Sequence, residues 1–131
     1  MEKKLYEQYK DYFRVGAAVS GLFYDEEGFL KRMELMREHF KKFKKPAGIP
    51  DFKFPDPPKG PFPDGDILAK HFNLVVAEND TKMGSIYTGP DTFNFSSADK
   101  FIKMAKANGQ AIRWHTLVWH NQSPNWIFKK P

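Results

Sequence analysis

Apolar positions repeat along this chain with two alternating periods, and their order sets the expected architecture. Leu5, Tyr9 and Tyr12 share one helical face, which predicts a short helix over residues 3–12. Phe13 to Ser20 reads as a buried strand, since Val15, Ala17, Ala18 and Val19 crowd together and Gly16 permits close backbone approach. Asp25 to Lys45 predicts a long helix, with Asp25, Glu26 and Glu27 at its start and lysines at its end, both suited to the helix dipole. Along it Phe29, Met33, Met36, Phe40 and Phe43 alternate by four and three, which makes one apolar face. That face either packs on the parent domain or, given its heptad-like spacing, docks a second chain.

Residues 46–65 break the periodicity. Seven of the ten prolines fall here, interspersed with Gly48, Gly60 and Gly65, so the stretch is expected to be an extended linker or surface loop. Phe52, Phe54 and Phe62 suggest that it lies against something apolar. A strand and helix rhythm then resumes. Asp66 to Phe72 predicts a short helix, Asn73 to Ala77 a strand, and Ser96 caps a helix running to about Asn108, with Asp99 as capping-box partner and Gly109 as the stop. Ala111 to Val118 is the next strand. Strand, helix, strand at this spacing implies parallel pairing through right-handed crossovers. The expected fold is α/β, about three βα units, with no internal repeat.

Length and composition narrow this picture. At 131 residues the chain is long enough for a real core, but a complete (β/α)8 barrel takes roughly 200 residues or more. The 40% hydrophobic and 16% aromatic content is that of an ordered globular chain. The net charge of +5 resides largely in Lys41, Lys42, Lys44, Lys45, Lys129 and Lys130, clusters typical of solvated faces, and no nucleic-acid partner is expected. With no cysteine, neither disulfides nor thiolate metal sites are possible, and the compartment stays open. The start Met1-Glu2-Lys3-Lys4 has no apolar signal region and no run has membrane-spanning length, so no membrane association is expected. The histidines stand in no ligand-like spacing, and neither metal nor cofactor is expected.

Candidate chemistry gathers at the carboxyl ends of the second and third strands, where parallel α/β folds place their ligands. The second ends in Glu78-Asn79-Asp80-Thr81-Lys82. The third runs into Trp114-His115 and on to Trp119-His120-Asn121-Gln122, and all three tryptophans lie within residues 114–126. Indole faces meet the C–H patches of a sugar, and Glu, Asn, Lys, His and Gln pair with its hydroxyls. The bland alternative is that Glu78 and Lys82 pair across a turn and Trp119 belongs to the core.

Two of these segments resemble one known family. Val76-Ala77-Glu78-Asn79-Asp80-Thr81-Lys82 is similar to the second-strand motif of family 10 glycoside hydrolases. His115-Thr116-Leu117-Val118-Trp119-His120-Asn121-Gln122-Ser123-Pro124-Asn125-Trp126 is similar to their third-strand motif. Phe93-Asn94-Phe95, Ala98-Asp99 and Asn108-Gly109 match in between, and Tyr12 to Val19 resembles the first strand. The resemblance implies the N-terminal part of a (β/α)8 TIM barrel, one partial domain over 1–131. Within it, 21–65 reads as an insertion made of helix 25–45 and loop 46–65, longer than the usual family connection.

By the same resemblance, Glu78, Asn79 and Lys82 bind xylose in the distal glycone subsite. His115 and Trp119 line the proximal subsite, and Gln122 reaches the glycone side. His120 is read as a support, Pro124 and Trp126 as structural, and Asp80 and Arg113 as candidates for charge pairs beneath the rim. The implied activity is that of an endo-β-1,4-xylanase, retaining, with two carboxylates about 5–5.5 Å apart. The family carries those carboxylates after its fourth and seventh strands, so no catalytic residue is assigned here and the chain alone is expected to be inactive. The implied partners are xylan or xylooligosaccharide and a complementing chain with the remaining strands; the family leans toward an extracellular setting. The alternatives are a non-catalytic xylan-binding module and a helix-mediated scaffold. Trp114, commonly Gly in the family, and Met83-Gly84-Ser85, commonly bulkier, depart from the pattern beside the site.

Overall fold

A computed structural model of the chain describes residues 3–42, 56 and 64–129. In chain order the elements are α1 (Leu5–Gln8), β1 (Gly16–Val19), a 3₁₀ turn at Gly21–Phe23, α2 (Glu26–Lys42), α3 (Asp64–His71), β2 (Leu74–Ala77), α4 (Met83–Ile86), β3 (Tyr87–Gly89), β4 (Thr92–Phe93), α5 (Ser96–Ala107), β5 (Ala111–Ile112) and a 3₁₀ turn at Asn125–Phe128. The strands β1, β2 and β5 form a parallel sheet in that order, with Gly16 opposite Leu74, Val19 opposite Ala77, and Leu74 opposite Ala111. A separate antiparallel hairpin joins β3 and β4. The three parallel strands expected from the periodicity are therefore present, joined by two helical crossovers; among the described residues β5 is followed by a 3₁₀ turn instead of a third helix.

Strand alternation gives the sheet two unlike faces. Val19, Val75 and Ala77 point to the helical side and are buried together with Leu68 of α3 and Phe101 and Ala105 of α5. Their spacing in α5, with Ala98 as well, is that of one helical face. Phe101 is fully buried, a contribution of about 1.5–3 kcal/mol by apolar burial. On the opposite face Gly16, Ala18 and Arg113 are exposed. Small residues on that face fit the inside of a barrel, where strands curve toward one another.

Polar contacts fix the register. Val15 N–H donates to Asn73 Oδ1 at 3.0 Å, and Asn73 N–H donates to Val15 O at 3.1 Å, which aligns the start of β1 with β2. Buried Gln110 spans the entry to β5, its Nε2 donating to Leu68 O at 3.0 Å and Phe72 O at 3.1 Å and so satisfying the last carbonyls of α3. At the end of α5, Gly109 has φ +66°, Gly109 N–H donates to Lys106 O, and Gln110 N–H donates to Ala105 O. That pattern is a Schellman stop, as the glycine predicted.

Several expected boundaries shift. The first helix closes only Leu5–Gln8 rather than 3–12, and Tyr9 and Tyr12 are exposed, Tyr9 stacking on Phe13 at 5.1 Å. The first strand begins at Gly16, not Phe13. Ser96 is the first residue of α5 rather than its cap; Asn94 Oδ1 takes the Ser96 N–H at 3.1 Å and its hydroxyl at 2.7 Å. The third strand stops at Ile112, not Val118; beyond it Arg113 N–H still donates to Val75 O, and His115 O then accepts from the side chain of Thr81 instead of from a backbone N–H of β2. The helix before β2 starts at Asp64, and α4 and the β3–β4 hairpin were not anticipated, although Pro90-Asp91, with Asp91 at φ 53°, is a turn signal. Residues 43–45 of the long helix and most of the proline-rich loop, with Phe52, Phe54 and Phe62, lie outside the described residues. No side chain of α2 is fully buried, and Met36 and Phe40 remain about half exposed.

Candidate functional site

The carboxyl ends of β2 and β5 lie side by side and bring the predicted polar residues together. Glu78 N–H continues the ladder by donating to Val19 O at 2.9 Å, so its side chain falls on the exposed inner face of the sheet. There Ala18, Val76, Glu78, Arg113 and His115 line an open cleft of about 380 Å³. After Glu78 the chain turns sharply: Lys82 N–H donates to Asn79 O at 3.0 Å, and Ser85 Oγ donates to the same carbonyl at 2.9 Å.

This turn folds Lys82 back onto its own loop. The residue is only 8% exposed, and its Nζ donates to Asn79 Oδ1 at 2.9 Å. The same ammonium lies 4.9 Å from the centre of the Trp119 indole, within cation–π range. Lysine thus pairs with Asn79 and Trp119, not across the turn with Glu78. Trp119 retains 36% exposure and is not a core residue; His120 packs edge-on against it at 5.3 Å and meets Asn121 Nδ2 at 3.0 Å through Nε2. Ser123 Oγ donates to Trp119 O at 2.6 Å.

Gln122 enters through its backbone. With φ 56° it turns its carbonyl toward Gly84, whose N–H donates to it at 2.8 Å. A Cβ on Gly84 would stand 2.5 Å from that carbonyl oxygen, so the small residue that departs from the family pattern is required by this contact. Trp114 lines a separate apolar groove of about 450 Å³ with Ile86, Tyr87, Phe93, Phe95 and Leu117. Half-buried Trp126 packs edge-on against Tyr87 at 4.5 Å, as befits a structural residue.

Below the rim lies a network that sequence reasoning found only in part. Asp80 does form a charge pair, but with Arg32 of α2 (Nη2 to Oδ1 3.6 Å), while Arg113 makes no ion pair among the described residues. Tyr24 Oη donates to Asp80 Oδ2 at 2.5 Å, and Arg32 Nη1 reaches Asp25 Oδ2 at 3.4 Å and Ser97 Oγ at 3.2 Å. Lys100 Nζ donates to Asp25 Oδ1 at 2.6 Å. Burial, and then the hydrogen bond to the Asp80 carboxylate, push the Tyr24 phenol well above its ordinary value. The Lys100 hydrogen bond, aided by the Lys100 charge, the Gly28 N–H and Arg32 and opposed by burial, holds Asp25 below the usual carboxylate range. Thr81 was also missed: it is 1% exposed, and its hydroxyl donates to His115 O, linking the two strand ends. No group of three or more His, Asp or Glu among the described residues could hold a metal ion.

Comparison with known proteins identifies the family of the chain. The model of glycosyl hydrolase family 10 matches residues 55–131. Endo-1,4-beta-xylanase A of Thermotoga maritima is 39% identical over 100 residues, 73% of this chain and 9% of that protein. A beta-1,4-xylanase of Dictyoglomus thermophilum is 34% identical over 125 residues, 95% of this chain and 25% of that protein. An intracellular xylanase of Thermoanaerobacterium saccharolyticum superposes with a TM-score of 0.67 at 31% identity, covering 99% of this chain and 30% of the other. Mutants of that enzyme have been solved with xylotriose and with xylotetraose. The chain therefore spans less than a third of each of these relatives, and its sheet and helices correspond to a segment of their TIM barrel. By its strand-end motifs, its sheet and these matches together, the chain belongs to glycosyl hydrolase family 10.

Proposed function

We propose that this chain forms the glycone-binding part of an endo-1,4-β-xylanase that hydrolyses xylan with retention once the remaining barrel strands complete it. The observation that carries this reading is the Asn79–Lys82–Trp119 arrangement at the strand ends. An ammonium has three donors, and Asn79 Oδ1 engages one of them. With its oxygen engaged by Lys82, the Asn79 amide still carries two N–H donors on its nitrogen. Beside them the half-open indole of Trp119 offers a flat apolar face, and Glu78 and His115 line the adjoining cleft. A pyranose needs donors and acceptors for its equatorial hydroxyls and a flat partner for its C–H patch. Glu78, Asn79, Lys82, His115, Trp119 and Gln122 supply these, and the relatives solved with xylotriose and xylotetraose support the choice of sugar.

The chemical step requires an acid and a nucleophile about 5–5.5 Å apart. In this reading both stand on strands outside these residues, and Glu78 serves binding. Residues 21–65 act as an insertion in the barrel domain. The test is release of reducing sugar from xylan by the chain alone and after joining or mixing with the missing strands. Activity only in the completed form is expected. Activity in the chain alone would overturn the assignment of the carboxylates, and xylooligosaccharide binding without activity in the completed form would favour a binding module.

A further inference from the structure

The site contains a contact from outside the strand ends. Asp80 lies between Asn79 and Thr81, yet its side chain points away from the cleft toward the segment that follows β1. Consecutive Cα atoms are about 3.8 Å apart, so wherever Asp80 is held, Asn79 is held to within one bond step. The loop from Glu78 to Lys82 is fixed from three directions. Glu78 N–H is tied to Val19 O, the Thr81 hydroxyl to His115 O, and Asp80 to Tyr24 and Arg32. Only the third tie comes from the segment between β1 and β2.

That tie has the marks of a built contact. The Asp80 side chain is 13% exposed and receives a hydroxyl on one oxygen and a guanidinium on the other. Arg32 is itself aimed by Asp25 and Ser97, and Asp25 is engaged in turn by Lys100 of α5. The Tyr24 ring is seated edge-on against the core residue Phe101 at 5.4 Å. Independently, a Cβ at position 21 would lie 2.7 Å from Arg32 Nη2 and 3.2 Å from Asp80 Oδ2. Gly21 thus leaves the opening through which the guanidinium reaches the loop.

From this geometry we propose that Arg32 and Tyr24 are positioning residues for the sugar-binding loop. Acting through Asp80, they set the direction in which Asn79 and Lys82 meet the ligand. The proposal rests on the functional reading above. It gives the start of α2 a role in substrate grip although none of its residues lines the cleft. Releasing Asp80 lets the turn rotate, which separates Lys82 from Asn79 and from the Trp119 face. The loss falls on ground-state and transition-state binding alike, so it enters KM rather than kcat.

The experiment uses the barrel completed with the strands that follow in a matched xylanase. It compares Arg32→Met, Arg32→Lys and Tyr24→Phe with the parent, Phe preserving the packing on Phe101. Expected for Arg32→Met is a KM for xylotetraose raised about three- to tenfold, with kcat changed by less than about twofold. Arg32→Lys recovers part of the loss. Amide hydrogen exchange should quicken at Asn79 to Lys82 while β2 and α5 keep their protection. Unaltered KM and unaltered loop exchange in Arg32→Met and Tyr24→Phe, whatever happens to the melting temperature, would reduce the network to a structural brace and overturn the proposal. If the unmodified barrel fails to cleave xylan, the functional reading fails. Loop exchange then decides the coupling separately, quickening in the variants upholding it and no change refuting it.

Discussion

Lys82 Nζ lies 4.9 Å from the centre of the Trp119 indole, an ammonium over an aromatic face that a residue 37 positions later in the chain provides. Replacing Lys82 by Met keeps the stem, fits the same space and removes the charge. Xylotriose affinity of the completed barrel should fall about ten- to a hundredfold, the loss of one or two charge-assisted hydrogen bonds. Calorimetric titration measures this directly. An affinity equal to the parent's would remove Lys82 from the binding site.

Gly84→Ala and Gly65→Ala form a contrasting pair. At position 84 the new methyl meets Gln122 O at 2.5 Å, so the 82–86 turn and the Gln122 backbone must separate. A loss of about 1–3 kcal/mol is expected, together with weaker sugar binding. At Gly65, in the first turn of α3, nothing among the described residues lies within 4 Å. Alanine there should stabilise by about 0.4–1 kcal/mol through helix propensity and a less mobile unfolded chain. Chemical denaturation of both variants gives the comparison, and equal effects would contradict it.

Phe101→Ala removes the largest fully buried side chain, which joins α5 to β1 and β2. A cost of about 3–5 kcal/mol is expected. Thermal unfolding followed by circular dichroism should show a large drop in melting temperature.

The Asp25 and Tyr24 contacts act at opposite ends of the pH scale. The Asp25 pKa is depressed in the folded state, so its stabilisation is present at neutral pH and is lost as the pH falls below about 4 through the depressed value. Asp25→Asn should therefore destabilise at pH 7 and match its parent more closely near pH 2. The Tyr24 pKa is raised, so its contribution is full below about pH 10 and is lost as the pH climbs beyond that. Tyr24→Phe should flatten the alkaline fall of the stability curve. Urea midpoints across the pH range test both.

Local pattern made some of this legible and not the rest. Gly109 announced the end of α5 because a left-handed stop needs glycine, and the small residues of β1 announced a crowded sheet face. Ser96 was misread as a cap because serine there is chemically able to cap, but Asn94 lies closer to the free N–H groups. Ala111 to Val118 looked like one strand because its side chains are strand formers. After Ile112 only the Arg113 N–H still donates to Val75 O, and the His115 carbonyl accepts from the Thr81 hydroxyl beyond β2, a contact 34 positions apart that no window along the sequence contains. The pairing of Asp80 with Arg32 was hidden for the same reason. Both are ordinary charged residues in their own segments, and only Gly21, standing between them in space, carries a trace of it.

The parallel sheet also limits what can complete it. Its described strands number three, with β1 and β5 at the two edges. An eight-stranded barrel cannot be tiled by identical three-stranded pieces, since two copies provide six strands and three copies nine. Five further strands are therefore needed between the edge of β5 and the edge of β1, so the two sheet edges are the seams at which the rest of a barrel joins.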